Sequence, residues 1–101
     1  MRTIYGYIKE NGTIASSGGN MEHFHVTKVS TGVYDVHFEP HFQNTPAVVA
    51  TQLWEKSGPL GGSALDNVVL VSLSNSVARF KTGDGAGDSK DRQFTFIAMG
   101  E

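Results

Sequence analysis

The chain has 101 residues, which predicts a single domain over 1–101, and its ten aromatic residues can fill a small core. Its formal charge of −2, with only eight scattered Lys and Arg, argues against a nucleic-acid partner, because such proteins carry a basic stripe. Cysteine is absent, which excludes disulfide bonds, and no apolar run has the length of a membrane span, so we expect no membrane insertion.

Short apolar stretches punctuated by twelve glycines predict a series of short strands joined by turns. No stretch keeps a helical apolar period for three turns. The first segment, MRTIYGYIKENG, is polar and unlike a secretory leader, so we expect export, if any, by lysis or within a larger particle. The expected strands are 2–8, 12–16, 23–29, 32–38, 47–55, 67–74, 76–82 and 92–99, with long loops at 56–67 and 82–91. This pattern predicts an all-β fold, an antiparallel β-sandwich of about six to eight short strands.

Two hairpins can be recognised from their turns. Asn11-Gly12 predicts the first, because both residues tolerate positive φ. The second spans 23–39, and its register follows from the side-chain pattern: a two-residue turn at Thr31-Gly32 mixes polar and apolar side chains, whereas a three-residue turn at 30–32 segregates them. That choice directs Phe24, Val26, Val36 and Phe38 to the core, and it places His25 opposite His37, Thr27 opposite Asp35 and His23 opposite Glu39 outside.

Three other predicted strands, 47–55, 67–74 and 92–99, carry apolar residues on both faces. A sandwich covers only one face of each sheet, so the second face needs a further covering layer. A chain of this length without helices has little material for that layer, and we therefore predict a homo-oligomer. The alternative is that these strands are central and the chain's own loops cover them.

Several stretches resemble a known group of proteins: GVYDVHF at 32–38, TPAV at 45–48, and FTFIAMG at 94–100. They resemble the small β-sandwich modules at the C-termini of bacterial and phage tail-fibre and collagen-like proteins, similar in layout to H-type lectins. The resemblance covers about residues 6–100 and implies a homotrimer that binds sugars at subunit edges, on a phage or bacterial surface or in a secreted particle. The four histidines depart from the usual pattern, so no family role is transferred to them.

Three histidines, His23, His25 and His37, are predicted to share the outer face of the hairpin with Asp35 and Glu39. Neutral imidazoles are good ligands for Zn²⁺, Ni²⁺ or Fe²⁺, so these histidines are candidate metal ligands. No fourth Cys or His completes a tight motif, and a polar surface or a packed interface explains the same residues. A divalent metal is therefore one hypothesis, and no cofactor is required by the sequence.

Trp54 is predicted to end its strand beside a glycine-rich loop, where an indole ring can stack on a sugar. Asp66, Asn67 and Arg79 are the predicted partners for sugar hydroxyls. The alternative is that Trp54 covers the edge of the core or a contact between subunits. The acidic stretch 84–91 lacks the far-end Glu of a calcium loop, and its glycines indicate a hairpin loop instead.

No arrangement of residues indicates catalysis. The chain has no recognised Ser-His-Asp spacing, no nucleophile elbow and no phosphate-cradling loop, so we expect a protein that is not an enzyme. Three hypotheses follow. The first is a trimeric recognition and assembly module that binds surface glycans, the second is a structural trimerisation cap without a ligand, and the third is a small metal-binding or enzymatic β-barrel built on the histidines.

Overall fold

Eight antiparallel strands form two four-stranded sheets that pack face to face, which confirms the predicted β-sandwich. The computed structural model describes residues 1–19, 23–54 and 65–101, without the side chain of His23. The first sheet has the order β2-β1-β8-β5 and the second β3-β4-β7-β6. The strands are β1 Arg2–Ile8, β2 Ile14–Gly19, β3 His23–Ser30, β4 Val33–Glu39, β5 Ala47–Gln52, β6 Asn67–Leu73, β7 Val77–Gly83 and β8 Phe94–Gly100.

The core lies between the sheets and is mostly aromatic. Strict alternation along β1, β4 and β8 turns every second side chain inward, because successive side chains in a strand point to opposite faces. Edge-to-face ring contacts join the two layers, such as Phe24 of β3 against Phe96 of β8, with centroids 5.1 Å apart. The fully buried large side chains include Ile4, Ile8, Tyr34, Phe38, Phe42, Phe80, Phe94 and Phe96.

The register predicted for the β3–β4 hairpin is confirmed in every pair, including Phe24 with Phe38 and His25 with His37. The predicted three-residue turn at 30–32 is shorter in the structure: Ser30 pairs with Val33, the turn is Thr31-Gly32, and a bulge between Lys28 and Ser30 keeps the predicted pairs in register. Gly32 has φ of 72°, the left-handed conformation that the turn requires. Burial of the apolar set therefore selected the register, as the side-chain pattern indicated.

The turn at Asn11-Gly12 forms, but only Gly12 adopts a positive φ, 88°. The Lys9 amide donates to the Thr13 carbonyl at 2.8 Å, and the β1–β2 ladder shifts between Tyr7 and Ile8. This longer, bulged turn moves the second strand from the expected 12–16 to Ile14–Gly19.

The predicted loop at 82–91 begins within β7 and continues to the start of β8. Asp84 organises it, because its Oδ1 accepts hydrogen bonds from the amides of Ala86 at 2.9 Å and Asp88 at 3.0 Å. These bonds hold the pKa of the Asp84 carboxyl below its usual range. The acidic residue is thus used as a turn former, in agreement with the hairpin-loop interpretation. Most of the other predicted loop, residues 56–64 of 56–67, lies outside the described residues.

Strands β5, β6 and β8 each bury one face and expose apolar side chains on the other. Val48 and Val68 pack half-buried against the core of their own chain. The alternate side chains of the three strands point outward: Val49 of β5 is 67% exposed, Val69 of β6 is 50% exposed and Ile97 of β8 is 44% exposed. The described residues contain no helix with the length and apolar character needed to cross a membrane.

Gly6 provides a test of the packing between the sheets. A Cβ atom on this residue would lie 2.5 Å from Phe24 Cζ and 2.7 Å from Phe96 Cε1. We expect Gly6→Ala to lower the free energy of unfolding by about 1–3 kcal/mol, since the added methyl overpacks the core. Urea unfolding measures this, with Ser16→Ala on exposed β2 as a control that changes it by less than about 0.5 kcal/mol. Equal stability of the two variants would contradict the packing.

Candidate functional site

A cavity of about 380 Å³ opens at the end of the first sheet, where β1 and β5 end and β8 begins. Trp54 and Leu53 form its apolar part, and Lys9, Lys90 and Arg92 bring positive charge to its wall. The volume lies within the range of about 300–1,000 Å³ that small-molecule sites occupy. The cavity is therefore large enough to hold one or two sugar rings.

Arg92 connects Trp54 with Asp66 and is the residue that sequence reasoning missed. Its guanidinium carbon lies 5.1 Å from the centroid of the Trp54 ring, and its Nη1 lies 3.9 Å from Asp66 Oδ2. Asp66 follows the loop before β6, so only the fold brings it to this end of the first sheet. A basic residue just before an apolar strand carries no sequence signal for such a contact.

A hydrogen-bond network supports the cavity wall around Gln93, which is only 6% exposed. Its Oε1 accepts a hydrogen bond from the Tyr7 hydroxyl at 2.5 Å and another from Lys9 Nζ at 3.3 Å. Within the part of the chain that the structure describes, Trp54 Nε1 is buried without a hydrogen-bond partner. It is therefore the ring of Trp54, and not its N–H, that is available to a ligand in the cavity.

The second sheet fixes the rim of the cavity at Asp91 and Glu10. Asp91 Oδ1 accepts hydrogen bonds from the Gly32 amide at 2.7 Å and pairs with Lys28 Nζ at 3.1 Å. The Tyr34 hydroxyl donates to the Glu10 carbonyl at 2.6 Å. Burial, together with the nearby Asp91 carboxylate, raises the pKa of Tyr34 to about 12, so this donor keeps its proton. The rim is thus held in place without a ligand.

The four predicted ligand-binding residues do not all meet at one place. Trp54 and Asp66 meet through Arg92, and Asn67 begins β6, where its carbonyl accepts a hydrogen bond from the Gln52 side chain at 2.8 Å. Arg79 lies apart, on the outer face of the second sheet, with Nε and Nη2 donating to the two carboxylate oxygens of Asp35 at 2.7 and 2.9 Å. Of the four, only Trp54 lines the cavity; Asp66 reaches it through Arg92, Asn67 lines a separate depression beside β6 and β7, and Arg79 lies on the other sheet.

The predicted histidine pair is present on the same outer face. The rings of His25 and His37 stack with centroids 4.3 Å apart and planes 12° from parallel. His25 Nδ1 contacts the carboxylate of Glu39, and His37 Nε2 lies 3.3 Å from Thr27 Oγ1. Parallel rings do not converge their nitrogens on one point. Among the described residues, which leave out the His23 side chain, no group of three His, Cys, Asp or Glu is arranged to hold a metal ion.

No protein-family model, curated protein or solved structure matches this chain. The features of the chain that can bind a partner are the cavity at Trp54 and the outer faces of the two sheets.

The Asp35–Arg79 pair predicts a pH-dependent stability. The hydrogen bonds from Arg79 hold the pKa of Asp35 below its ordinary value, so the ionised carboxylate stabilises the fold above about pH 4 and this contribution is lost as the pH falls through the lowered pKa. We expect Asp35→Asn to destabilise the protein at about pH 7 and to have little effect at about pH 2. Urea unfolding at both pH values checks this, and an equal loss at both would contradict the ion pair.

Proposed function

We propose that the protein is a non-enzymatic, oligomeric recognition and assembly module in which copies pack through the outer face of the first sheet and bind a glycan at the Trp54 cavity. The observation that carries the proposal is the composition of that outer face. Its outward positions on three adjacent strands include no charged residue: Thr3, Tyr5 and Tyr7 of β1, Thr95, Ile97 and Met99 of β8, and Ala47, Val49 and Thr51 of β5.

The face is also apolar at its centre, where a shallow depression of about 180 Å³ lies between β5 and β8. Tyr5, Ile97 and Val49 lie side by side across the three strands, and they are 49%, 44% and 67% exposed. The Tyr5 ring lies over Gly18 of β2, where any Cβ would collide with it. Exposed apolar patches of this kind mark interaction sites in soluble proteins.

The outer face of the second sheet differs in that charged side chains stand among its exposed valines, Val29 and Val69, and this difference favours a second copy as the partner of the first face. That second face carries the Asp35–Arg79 pair, His25 and Lys81. When like surfaces meet around a symmetry axis, charges are brought close to copies of themselves, which is unfavourable. The uncharged face avoids this cost, and burial of its apolar side chains stabilises the contact.

The number of copies proposed is three, which is the number that the resemblance to tail-fibre modules implies. Four strands of about seven residues cover roughly 19 by 23 Å, or roughly 440 Å² in projection, against about 800 Å² per partner in a standard interface. A contact through this face alone is therefore small.

The glycan part of the proposal depends on the cavity at Trp54. It combines a flat aromatic ring, cationic donors at Lys9, Lys90 and Arg92, and the acidic residues Glu10 and Asp91. Sugars are recognised by this combination of an apolar ring face with hydrogen bonds to hydroxyls. The cavity also adjoins the uncharged face, because Tyr7 belongs to that face and donates to Gln93 in the cavity wall.

Assembly is tested by placing a charge on the face. We expect the wild type to form a trimer at micromolar concentration and Val49→Lys or Ile97→Lys to dissociate it, since a lysine in each copy would be buried against its symmetry mates. Thr27→Lys, on the exposed outer face of the second sheet, is the matched control and leaves the trimer intact. Multi-angle light scattering measures the mass, and a monomeric wild type contradicts the proposal.

Recognition is tested on a glycan array with the wild type, Trp54→Ala and Trp54→Phe. We expect Trp54→Ala to lose about 1–3 kcal/mol of binding free energy, the worth of an aromatic anchor, and Trp54→Phe to retain part of the affinity because a flat ring remains. Melting temperatures confirm that both variants fold. A trimer that binds no glycan would instead be a structural cap, and the glycan part of the proposal would be wrong.

A further inference from the structure

Each sheet of the sandwich ends in two edge strands: β2 and β5 in the first sheet, and β3 and β6 in the second. An edge strand leaves the N–H and C=O groups of alternate residues without a neighbouring strand, and another chain can pair with them. Soluble proteins therefore protect their edges with charged side chains, prolines, bulges or a covering element. An edge without such protection is a candidate interface.

Three of the four edges are protected. Strand β3 carries Lys28 and the bulge that follows it, and His25 stands on its exposed face. Strands β5 and β6 contact each other, so that each helps to cover the edge of the other. The side chain of Gln52, at the end of β5, donates hydrogen bonds to the carbonyls of Asn67 at 2.8 Å and Gly83 at 2.9 Å.

Strand β2, Ile14–Gly19, has none of these devices along its length. Its sequence, IASSGG, contains no charge and no proline, and the one shift in its ladder with β1 falls at its start, between Tyr7 and Ile8. All of its residues except Gly18 are exposed, and most of them are small, so the backbone is accessible. Within the described part of the chain, β1 is the one strand that pairs with it.

We propose that β2 pairs antiparallel with β2 of a second copy across a two-fold axis, so that the four-stranded first sheets of two subunits become one continuous sheet. Main-chain hydrogen bonds supply the contact, as in other cases where a strand is added to a sheet edge. The pairing does not need the proposed trimer, whose contact is the outer face of the first sheet and not its edge.

The absence of charge favours a second copy as the partner. A two-fold contact brings residues close to their own copies, so a charged strand would oppose itself. From Asn11 to Gly19 the chain carries no charge and avoids this cost, and it offers no charge that would select a partner of opposite sign. In a pairing centred on Ser17, this residue faces its own copy, and Ser16 of one copy faces Gly18 of the other. No two large side chains meet there.

The size of the contact predicts a weak association that closes at two subunits. A strand of six residues extends about 20 Å and buries less surface than the standard interface of about 800 Å² per partner. We therefore expect a dissociation constant on the order of 100 μM. Because the other edges are covered or carry charge, pairing stops at the dimer instead of continuing into a fibre.

The test uses Val49→Lys, in which the outer face of the first sheet can no longer associate, so that the edge contact remains. Analytical ultracentrifugation is expected to show mostly monomer at about 10 μM and mostly dimer at about 1 mM. Hydrogen exchange at the two concentrations locates the contact: amides within 14–19 are expected to exchange about fourfold more slowly at the higher one, because pairing protects them. A wild type that is monomeric at micromolar concentration contradicts the face contact and leaves this test of the edge unchanged.

Charge at Ser17 gives a readout that only self-pairing produces. In the Val49→Lys background, Ser17→Lys and Ser17→Glu are each expected to raise the dissociation constant roughly three- to fivefold, because like charges then face each other across the axis. An equimolar mixture of the two variants is expected to form dimers again, since opposite charges then meet. Ser72→Lys, the same change on exposed β6, leaves the dimer intact. Melting temperatures confirm that all variants fold.

The proposal is overturned if Val49→Lys stays monomeric at about 1 mM, ten times the expected dissociation constant. It is also overturned if the protection that accompanies association lies at another strand instead of 14–19. A mixture of Ser17→Lys and Ser17→Glu that associates no better than either variant alone overturns it as well.

Discussion

Burial of one face of every inner strand against an aromatic core determines where the remaining side chains of this protein point. The side chains of Ile4, Ile8, Phe94 and Phe96 point inward. Because successive side chains in a strand point to opposite faces, the residues next to them along β1 and β8 must point to the outer face. The uncharged outer face is therefore set by the same alternation that forms the core. A change of one residue in register would exchange the two faces completely.

The same constraint explains why the Trp54 cavity lies at an end of the first sheet. In the middle of the sandwich the rings of Phe80, Phe94 and Phe96 fill the space between the layers. At the ends the alternation continues, and inward side chains meet loop residues instead of the opposite sheet, as Arg2 meets the Phe42 ring. Polar groups that would be excluded from the middle of the core can be placed there.

The sequence predicted most of what depends on alternation and little of what depends on strand ends. The β3–β4 register was accessible because polar and apolar residues separate cleanly in only one pairing, and Gly32 marks the turn. The turn at Asn11-Gly12 was predicted, but its bulge was not, since a single shifted residue leaves no pattern. Arg92 and Arg2 escaped prediction because a basic residue beside an apolar strand is ordinarily exposed. Only the fold shows that Arg92 contacts the indole ring of Trp54 and that Arg2 contacts the phenyl ring of Phe42.

The three arginines with described contacts show how one side chain acts differently in three environments. Arg79 lies on an open sheet face and is satisfied by Asp35 from the neighbouring strand. Arg92 stands at a cavity wall, shared between the Trp54 ring and a distant Asp66 carboxylate oxygen. Arg2 is the most buried of the three, and among the described residues its side chain packs on the Phe42 ring, whose centroid lies 4.3 Å from Cζ. An aromatic face can stabilise a cation that has little access to water, so packing as well as pairing can hold an arginine in place.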